Sequence, residues 1–338
     1  MEKIRLGLVG CGAIAENQIR ELLKVEEAEL CAVCDLREDL AKDVAERYGI
    51  KAYYTDYAQM LAADIEGVIV CTPNFAHYEN TIQAAKAGKH ILVQKPFAME
   101  ISEAQEMIDA AKENKVILQA AFFERFKGCN LKMYEILSSG RLGKLLFIKA
   151  QMSHTGIDKF WLPKTQWFHT KKKSGGGPLS DLGAHHFDLI RWFSGSEVDE
   201  ISAVTTNYFE EDEIEDNASV VLKMKNGVMA QTYYSFTTVG PKNFCYENIE
   251  LYCEKGTLLL QNMDSKDFKL RMCGLDDEDF EEVVFEEQDG FYGMERHFAQ
   301  CIRDKKTPVT TGEDGKICLE IIKKGYESAK KGVTVKMV

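Results

Sequence analysis

From Lys3 to about Ala121, short continuous apolar runs alternate with stretches whose apolar positions recur at helical spacing. The runs are IRLGLVG, ELCAVCD, GVIVCT, KHILVQ and KVILQAAF. The spacing predicts helices from Ala13, from Glu38, over His77 to Ala87 and from Ser102, where Gln105 three residues on forms a capping-box pattern. Strands that are apolar along their whole length are buried on both faces, and strands separated by helices pair in parallel. This part of the chain therefore predicts a parallel sheet covered by helices on both sides.

After Phe123 the pattern changes. Helices are predicted over Asn130 to Ser138 and Leu179 to Phe193, followed by strand-like segments near Glu200 to Tyr208, Ala218 to Lys225, Val228 to Phe236, Phe244 to Cys253, Thr257 to Gln261 and Glu281 to Phe285. Asn226-Gly227, between Met224 and Val228, is a strong hairpin signal. Consecutive strands joined by tight turns imply an open, mostly antiparallel sheet. Helices over Met294 to Arg303 and Asp314 to Lys331, then a short strand, close the chain. The fold class is α/β: a parallel-sheet domain over 1–122, of the kind that binds dinucleotides where a glycine turn follows its first strand, and a second α/β domain with the open sheet over 123–338.

Charge narrows the partners. The 338 residues carry 42 Lys plus Arg against 54 Asp plus Glu, a net charge of −12. An acidic surface repels phosphate backbones and anionic lipid, which argues against nucleic acid and membrane. No apolar stretch reaches the ~18 to 20 residues of a membrane span. Lys3 and Arg5 before LGLVGCGAIA imitate a signal peptide, but the run reads better as a strand and a glycine turn. The ten cysteines are scattered, Cys31 and Cys34 pointing to opposite faces of one strand, and read as reduced core residues in a cytoplasmic protein.

The glycine turn is the first chemical motif. Gly10-Cys11-Gly12-Ala13-Ile14-Ala15 lies between a strand and a helix. Gly10 permits the tight turn, Gly12 lets a pyrophosphate approach the backbone, and Ala13 and Ile14 open the helix whose N-terminal amides attract anions. Asp35 ends the second strand, where a carboxylate accepts hydrogen bonds from an adenosine ribose and repels a 2′-phosphate. The expected cofactor is NAD, with NADP disfavoured, although Arg37 stands close enough in sequence to meet a phosphate. Thr72, Asn74 and His77 follow the strand GVIV and are expected to line the cofactor crevice at its carboxyl end, Asn74 doubling as a helix N-cap.

Lys95, after KHILVQ and before Pro96, sits at the carboxyl end of another strand, an unusual place for a merely solvating lysine. With these residues the chain resembles the family of glucose-fructose oxidoreductase, inositol dehydrogenase and rhizopine-catabolism proteins (Gfo/Idh/MocA). The resemblance rests on the GxGxxA turn, on TPNxxH followed by AGKHILVQKP, and on GGGPLSDLGAHHFDLIRWFSG (Gly175 to Gly195). It implies nicotinamide-dependent oxidation of a sugar, cyclitol or related polyol, with Lys95 in the active site. The family carries Glu-Lys-Pro where this chain has Gln94, which keeps the size but loses the charge; Gln94 is expected to contact the cofactor.

Asp181 and His185 are four apart on the predicted helix and share a face. From the residues alone this histidine reads as packing or as catalytic equally well; the resemblance, through its pattern DxGxHxxD, implies the catalytic role and makes His186 the weaker base. The implied mechanism has His185, oriented by Asp181, take the hydroxyl proton while Lys95 stabilises the oxygen, with no metal. The loop from His154 to Lys173 offers His154, Lys159, Trp161, Trp167, His169 and three lysines to a sugar, Trp167 being the expected ring contact; Arg125 is a further substrate candidate by resemblance. A NAD-retaining glycoside-cleaving enzyme working by transient oxidation, and a non-catalytic NAD and sugar sensor, are the alternatives. A homodimer or homotetramer is expected, joined through the strand Ala230 to Phe236.

Overall fold

The computed structural model describes residues 2–160, 166–209, 213–241, 244–262 and 267–337. They form two compact units, Met1–Phe126 with Asp289–Leu319, and Lys127–Gln288 with Glu320–Val338. A single cut at 122/123 therefore misses a return of the chain. The helix Gly290–Asp304 belongs to the first unit because Met294, Phe298, Ala299 and Ile302 join the same buried cluster as Leu6, Leu8 and Ile19. Burying the Met, Phe and Ile side chains among these contributes roughly 1.5–3 kcal/mol each.

The first unit holds, among the described residues, a six-stranded parallel sheet of β1 (Ile4–Val9), β2 (Ala28–Cys34), β3 (Ala52–Tyr54), β4 (Gly67–Val70), β5 (His90–Val93) and β6 (Leu118–Ala120), in the order β3-β2-β1-β4-β5-β6. The order reverses between β1 and β4, and ligands of such sheets bind outside the carboxyl ends of the strands at that reversal. Helices Ala13–Leu22, Glu38–Tyr48, His77–Lys86 and Ile101–Glu113 connect the strands. The capping box falls two residues before the Ser102 and Gln105 pattern. Glu100 is the N-cap, and its N–H donates to the Glu103 carboxylate at 3.0 Å, so the helix begins at Ile101.

The second unit holds a nine-stranded sheet among the described residues: β7 (Leu145–His154), β8 (Val198–Thr206), β9 (Asn217–Met224), β10 (Met229–Ser235), β11 (Cys245–Cys253), β12 (Gly256–Asn262), β13 (Lys269–Gly274), β14 (Glu281–Glu282) and β15 (Val335–Lys336). Its order is β14-β13-β12-β11-β7-β10-β9-β8-β15, antiparallel except for β7 beside β10. The Asn226-Gly227 turn joins β9 to β10 as its sequence predicts, with Gly227 at φ 91°. Helix Gly183–Ser194 packs on β7 and β10. One face of the sheet buries Ile148, Ala150, Leu222, Ala230 and Ile249, while Lys149, Val221, Gln231 and Tyr233 lie on the other, the alternation expected when one face is covered. Among the described residues no helix is long and apolar enough to cross a membrane.

Candidate active site

In the first unit the glycine turn is closed from one side and open on the other. Gly10 has φ 90°, and a Cβ there would lie 2.6 Å from the carbonyl carbon of Cys71 and the nitrogen of Thr72. Any side chain would be strained and would push the turn after β4 away. At Gly12, the N-cap of helix Ala13–Leu22, a Cβ would meet nothing within 4 Å. This is the shape a pyrophosphate needs: a side chain at Gly12 would fill the approach to the first helical amides, those of Ala13 and Ile14.

Asp35 seals the same turn. Its Oδ2 accepts the Cys11 N–H at 2.9 Å and its Oδ1 accepts the Arg37 N–H at 2.9 Å. Each carboxylate oxygen has a second lone pair, so the group can still accept from a ribose diol. The Arg37 guanidinium stands 3.9 Å from Oδ1 and is largely exposed, a surface pair of little energy.

The turns after β4 and β5 place the remaining candidates of this unit. Thr72 is half-buried, and its hydroxyl accepts from Asn80 Nδ2 at 3.2 Å. Asn74 opens a 3-10 turn, Asn74–Ala76, rather than capping the next helix, whose N-cap is Ala76. His77 departs from expectation. It is fully buried, with Nδ1 2.8 Å from the carbonyl oxygen of Pro96 and Nε2 2.9 Å from that of Thr72, so both ring nitrogens face the main chain and neither reaches a cofactor. Gln94 is 4% exposed, and its Nε2 has no hydrogen-bond partner among the described residues. A buried donor of that kind suits a polar ligand at the strand ends. Lys95 is half-buried at the end of β5.

Arg125 is also corrected. Its guanidinium donates to the Val309 carbonyl at 2.9 Å and meets Asp314 at 3.4 Å, holding the loop before helix Gly312–Lys331. A buried cation engaged in this way serves the fold.

In the second unit the predicted helix over 179–193 is in two pieces, Pro178–Asp181 and Gly183–Ser194, with the His185 N–H on the Leu182 carbonyl at 3.2 Å. Asp181 and His185 are both buried, on either side of the break. The first piece is anchored by Glu215, which sequence reasoning missed. The Glu215 carboxylate accepts from the N–H groups of Gly177 and Leu179, each at 3.1 Å, and from the Tyr326 hydroxyl at 2.8 Å. A Cβ on Gly177 would lie 1.9 Å from the Glu215 carbonyl oxygen, which explains the glycine there. Burial pushes the Glu215 carboxyl up although its hydrogen bonds pull it down. No local pattern marks an acid that caps a helix nearly forty residues earlier.

His186 lies against the sheet, fully buried beside Tyr234, with Nε2 3.6 Å from Glu247 Oε1. Burial raises the Glu247 carboxyl, but Lys127, 2.9 Å away, and His186 outweigh it and hold it well below the usual range. His154 is turned inward, stacked on Phe236 at 4.5 Å; Phe168 packs edge-on against Phe236, and half-buried Trp167 packs on Phe168 at 5.1 Å. His169 pairs with Asp158 at 3.1 Å. Trp161 lies outside the described residues.

Comparison with known proteins bears on both units. Residues 4–122 match the oxidoreductase family model with the NAD-binding Rossmann fold, and residues 130–259 match the GFO/IDH/MocA C-terminal domain. Myo-inositol 2-dehydrogenase of Thermotoga maritima is 27% identical over 335 residues, covering 97% of this chain and 96% of that protein. The scyllo-inositol 2-dehydrogenase (NAD(+)) of Bacillus subtilis is 25% identical over 345 residues, covering 99% and 96%. Levoglucosan dehydrogenase, solved with NADH and L-sorbose, shares the fold with a TM-score of 0.91 at 21% identity over the whole of both chains. With a NAD-binding Rossmann domain in the first part of the chain and the family's own C-terminal domain after it, the protein belongs to the Gfo/Idh/MocA oxidoreductases.

Proposed function

We propose that the protein is a NAD-dependent dehydrogenase acting on a secondary alcohol of a sugar, cyclitol or related polyol. The observation that carries this reading is the pairing, within one parallel sheet, of the open Gly12 turn with a lysine at the carboxyl end of β5. From Asp35 at the end of β2 to Lys95 is three strand spacings, about 14 Å, suited to a ligand lying across the strand ends. The inositol dehydrogenases among its relatives support the substrate class. Bound NAD supplies the hydride acceptor. Gly10, Gly12, Ala13, Ile14 and Asp35 hold its pyrophosphate and adenosine ribose, and Thr72 and Gln94 meet its other end. His185, oriented by Asp181, takes the hydroxyl proton; Lys95 donates to the oxygen as negative charge develops there. Trp167 offers an aromatic face to the ring. A screen of polyols, sugars and sugar phosphates with NAD, read as absorbance of the reduced nicotinamide, tests the reading. Turnover of none of them, or of substrates lacking a secondary alcohol only, overturns it.

Asp35 sets the preference for NAD. Asp35→Ser should lower kcat/KM with NAD by about tenfold, the loss of charge-assisted hydrogen bonds worth about 1.5 kcal/mol, and raise the NADP to NAD ratio. Steady-state kinetics with both cofactors checks this, and an unchanged ratio refutes the role.

The uncovered sheet face supports association into a homodimer or larger. Val204, Val221, Met229 and Tyr233 are exposed large apolar side chains, the last three on adjacent strands β9 and β10. Sedimentation velocity at micromolar concentration should give at least a dimer, and Tyr233→Glu should shift it toward monomer. A stable wild-type monomer is the contrary result.

A further inference from the structure

His77 occupies a place where the sheet's own hydrogen bonds stop. The ladder at this end closes with the Cys71 N–H on Val9 (2.8 Å), the Gln94 N–H on Val70 (3.1 Å) and the Ala121 N–H on Val93 (2.9 Å). Beyond it, the chain leaves β4 at Thr72 and β5 at Lys95-Pro96, and main-chain carbonyls there must find partners outside the ladder. The imidazole lies between them, 2.9 Å from the Thr72 oxygen and 2.8 Å from the Pro96 oxygen, with none of its surface exposed. A residue that only filled space here would be apolar, since burying an imidazole is costly unless its nitrogens are used. Burial pushes its pKa down to about 4 against the pull of the two carbonyls, and the nearby Lys95 charge adds to the depression. Each ring nitrogen that carries a proton donates to the carbonyl it faces, so the imidazole engages both turns, and the Lys95 charge is near enough to bias its protonation.

We infer that His77 is a positioning residue: it ties the Thr72 turn to the Lys95-Pro96 turn and so sets where Lys95 stands at the nicotinamide end of the cofactor, with no part in holding the adenosine end. The inference rests on the dehydrogenase reading. The adenosine end is separate because the Asp35 carboxylate holds the Gly10 turn through the Cys11 N–H, and the two residues follow β1 and β2, on the far side of the strand-order reversal from β5.

The test compares NADH with ADP-ribose, which lacks the nicotinamide, as ligands of the full-length protein, by calorimetry and by the emission of bound NADH. In His77→Leu the affinity for ADP-ribose should stay within about twofold while that for NADH falls by about tenfold, the scale of one lost buried hydrogen bond. His77→Gln, whose amide can still donate to one carbonyl, should recover most of the NADH affinity. If His77→Leu does not fold, His77→Phe, which keeps the ring volume, takes its place. In kcat with the best polyol of the screen, the His77 substitution should cost about tenfold in the wild-type background and nothing further beside Lys95→Ala. Parallel loss of both ligands, unchanged NADH affinity, or additive effects with Lys95→Ala overturn the inference. A Lys95→Ala variant with full kcat likewise overturns it, whereas a wild-type protein that binds neither ligand and turns over no polyol overturns the dehydrogenase reading instead.

Discussion

Replacing Lys95 or His185 by Ala should lower kcat by on the order of 10²-fold or more, while binding of the adenosine half of the cofactor, read with ADP-ribose, changes far less. The two losses have different physical sources. With His185 as the proposed base, its removal leaves the hydroxyl proton no buried acceptor, and water, excluded from a residue that is 5% exposed, is a poor substitute. With Lys95 as the proposed oxygen ligand, its removal takes the cation from the developing alkoxide, a charge-assisted interaction whose loss from a transition state typically costs 10²–10³-fold. Neither group belongs to the Gly10 and Asp35 end of the cofactor, so binding of the adenosine half should persist. If both act in one step, the double variant should be little worse than the poorer single one. Single-turnover reduction of NAD measures this directly. The matching control is His186→Ala: its ring is packed against Tyr234 and Glu247, so its replacement should affect stability more than turnover. Normal turnover in His185→Ala with loss in His186→Ala would exchange the two roles.

How much of this was legible in the sequence depended on whether the cause was local. The Gly10 turn, the strand–helix alternation and the Asn226-Gly227 hairpin are local events, each specified within a few residues, and each is where the pattern puts it. Strand β7 shows the opposite case. Its register Ile148, Ala150, Met152 is an ordinary one-face pattern, but its partners, β10 and β11, lie roughly eighty to a hundred residues on, and no turn beside it announces the pairing. β3 and β13 are short and depend on neighbours in the same way. The return of helix Gly290–Asp304 to the first unit is likewise invisible locally, because an amphipathic stripe says that a face is buried and not against what. Among site residues the motif gave positions but not directions. His77 follows β4 as expected and Arg125 is a candidate by resemblance alone, yet main-chain carbonyls claim both side chains. Glu215, which fixes the start of the Asp181 helix, carries no motif at all.

Glu295 supports the second large effect, one of stability. It lies on helix Gly290–Asp304 with no exposed surface, and neither carboxyl oxygen has a hydrogen-bond partner among the described residues. Burial raises its pKa well above the ordinary 4.5, and the negative charges of Glu21 and Asp289 raise it further. An acid whose pKa is higher folded than unfolded costs nothing below about pH 4.5, where both states hold the proton. As the pH rises past that point the unfolded chain ionises and the folded one resists, so stability falls by up to about 1.4 kcal/mol per pH unit until the folded-state pKa is reached. Glu295→Gln keeps the shape and removes the ionisation. The variant should therefore melt several degrees above wild type at pH 8, on a scale of about 2–4 °C per kcal/mol, and at essentially the same temperature at pH 4. Its kinetics with NAD should not change, since Glu295 sits behind helix Ala13–Leu22 in the core and not on the Gly10–Gly12 turn proposed to hold the pyrophosphate. Thermal melts of both proteins across pH 4 to 8 decide the matter: an equal shift at both ends would mean that packing alone is involved, and no shift at pH 8 would mean that the carboxyl ionises freely in the folded protein.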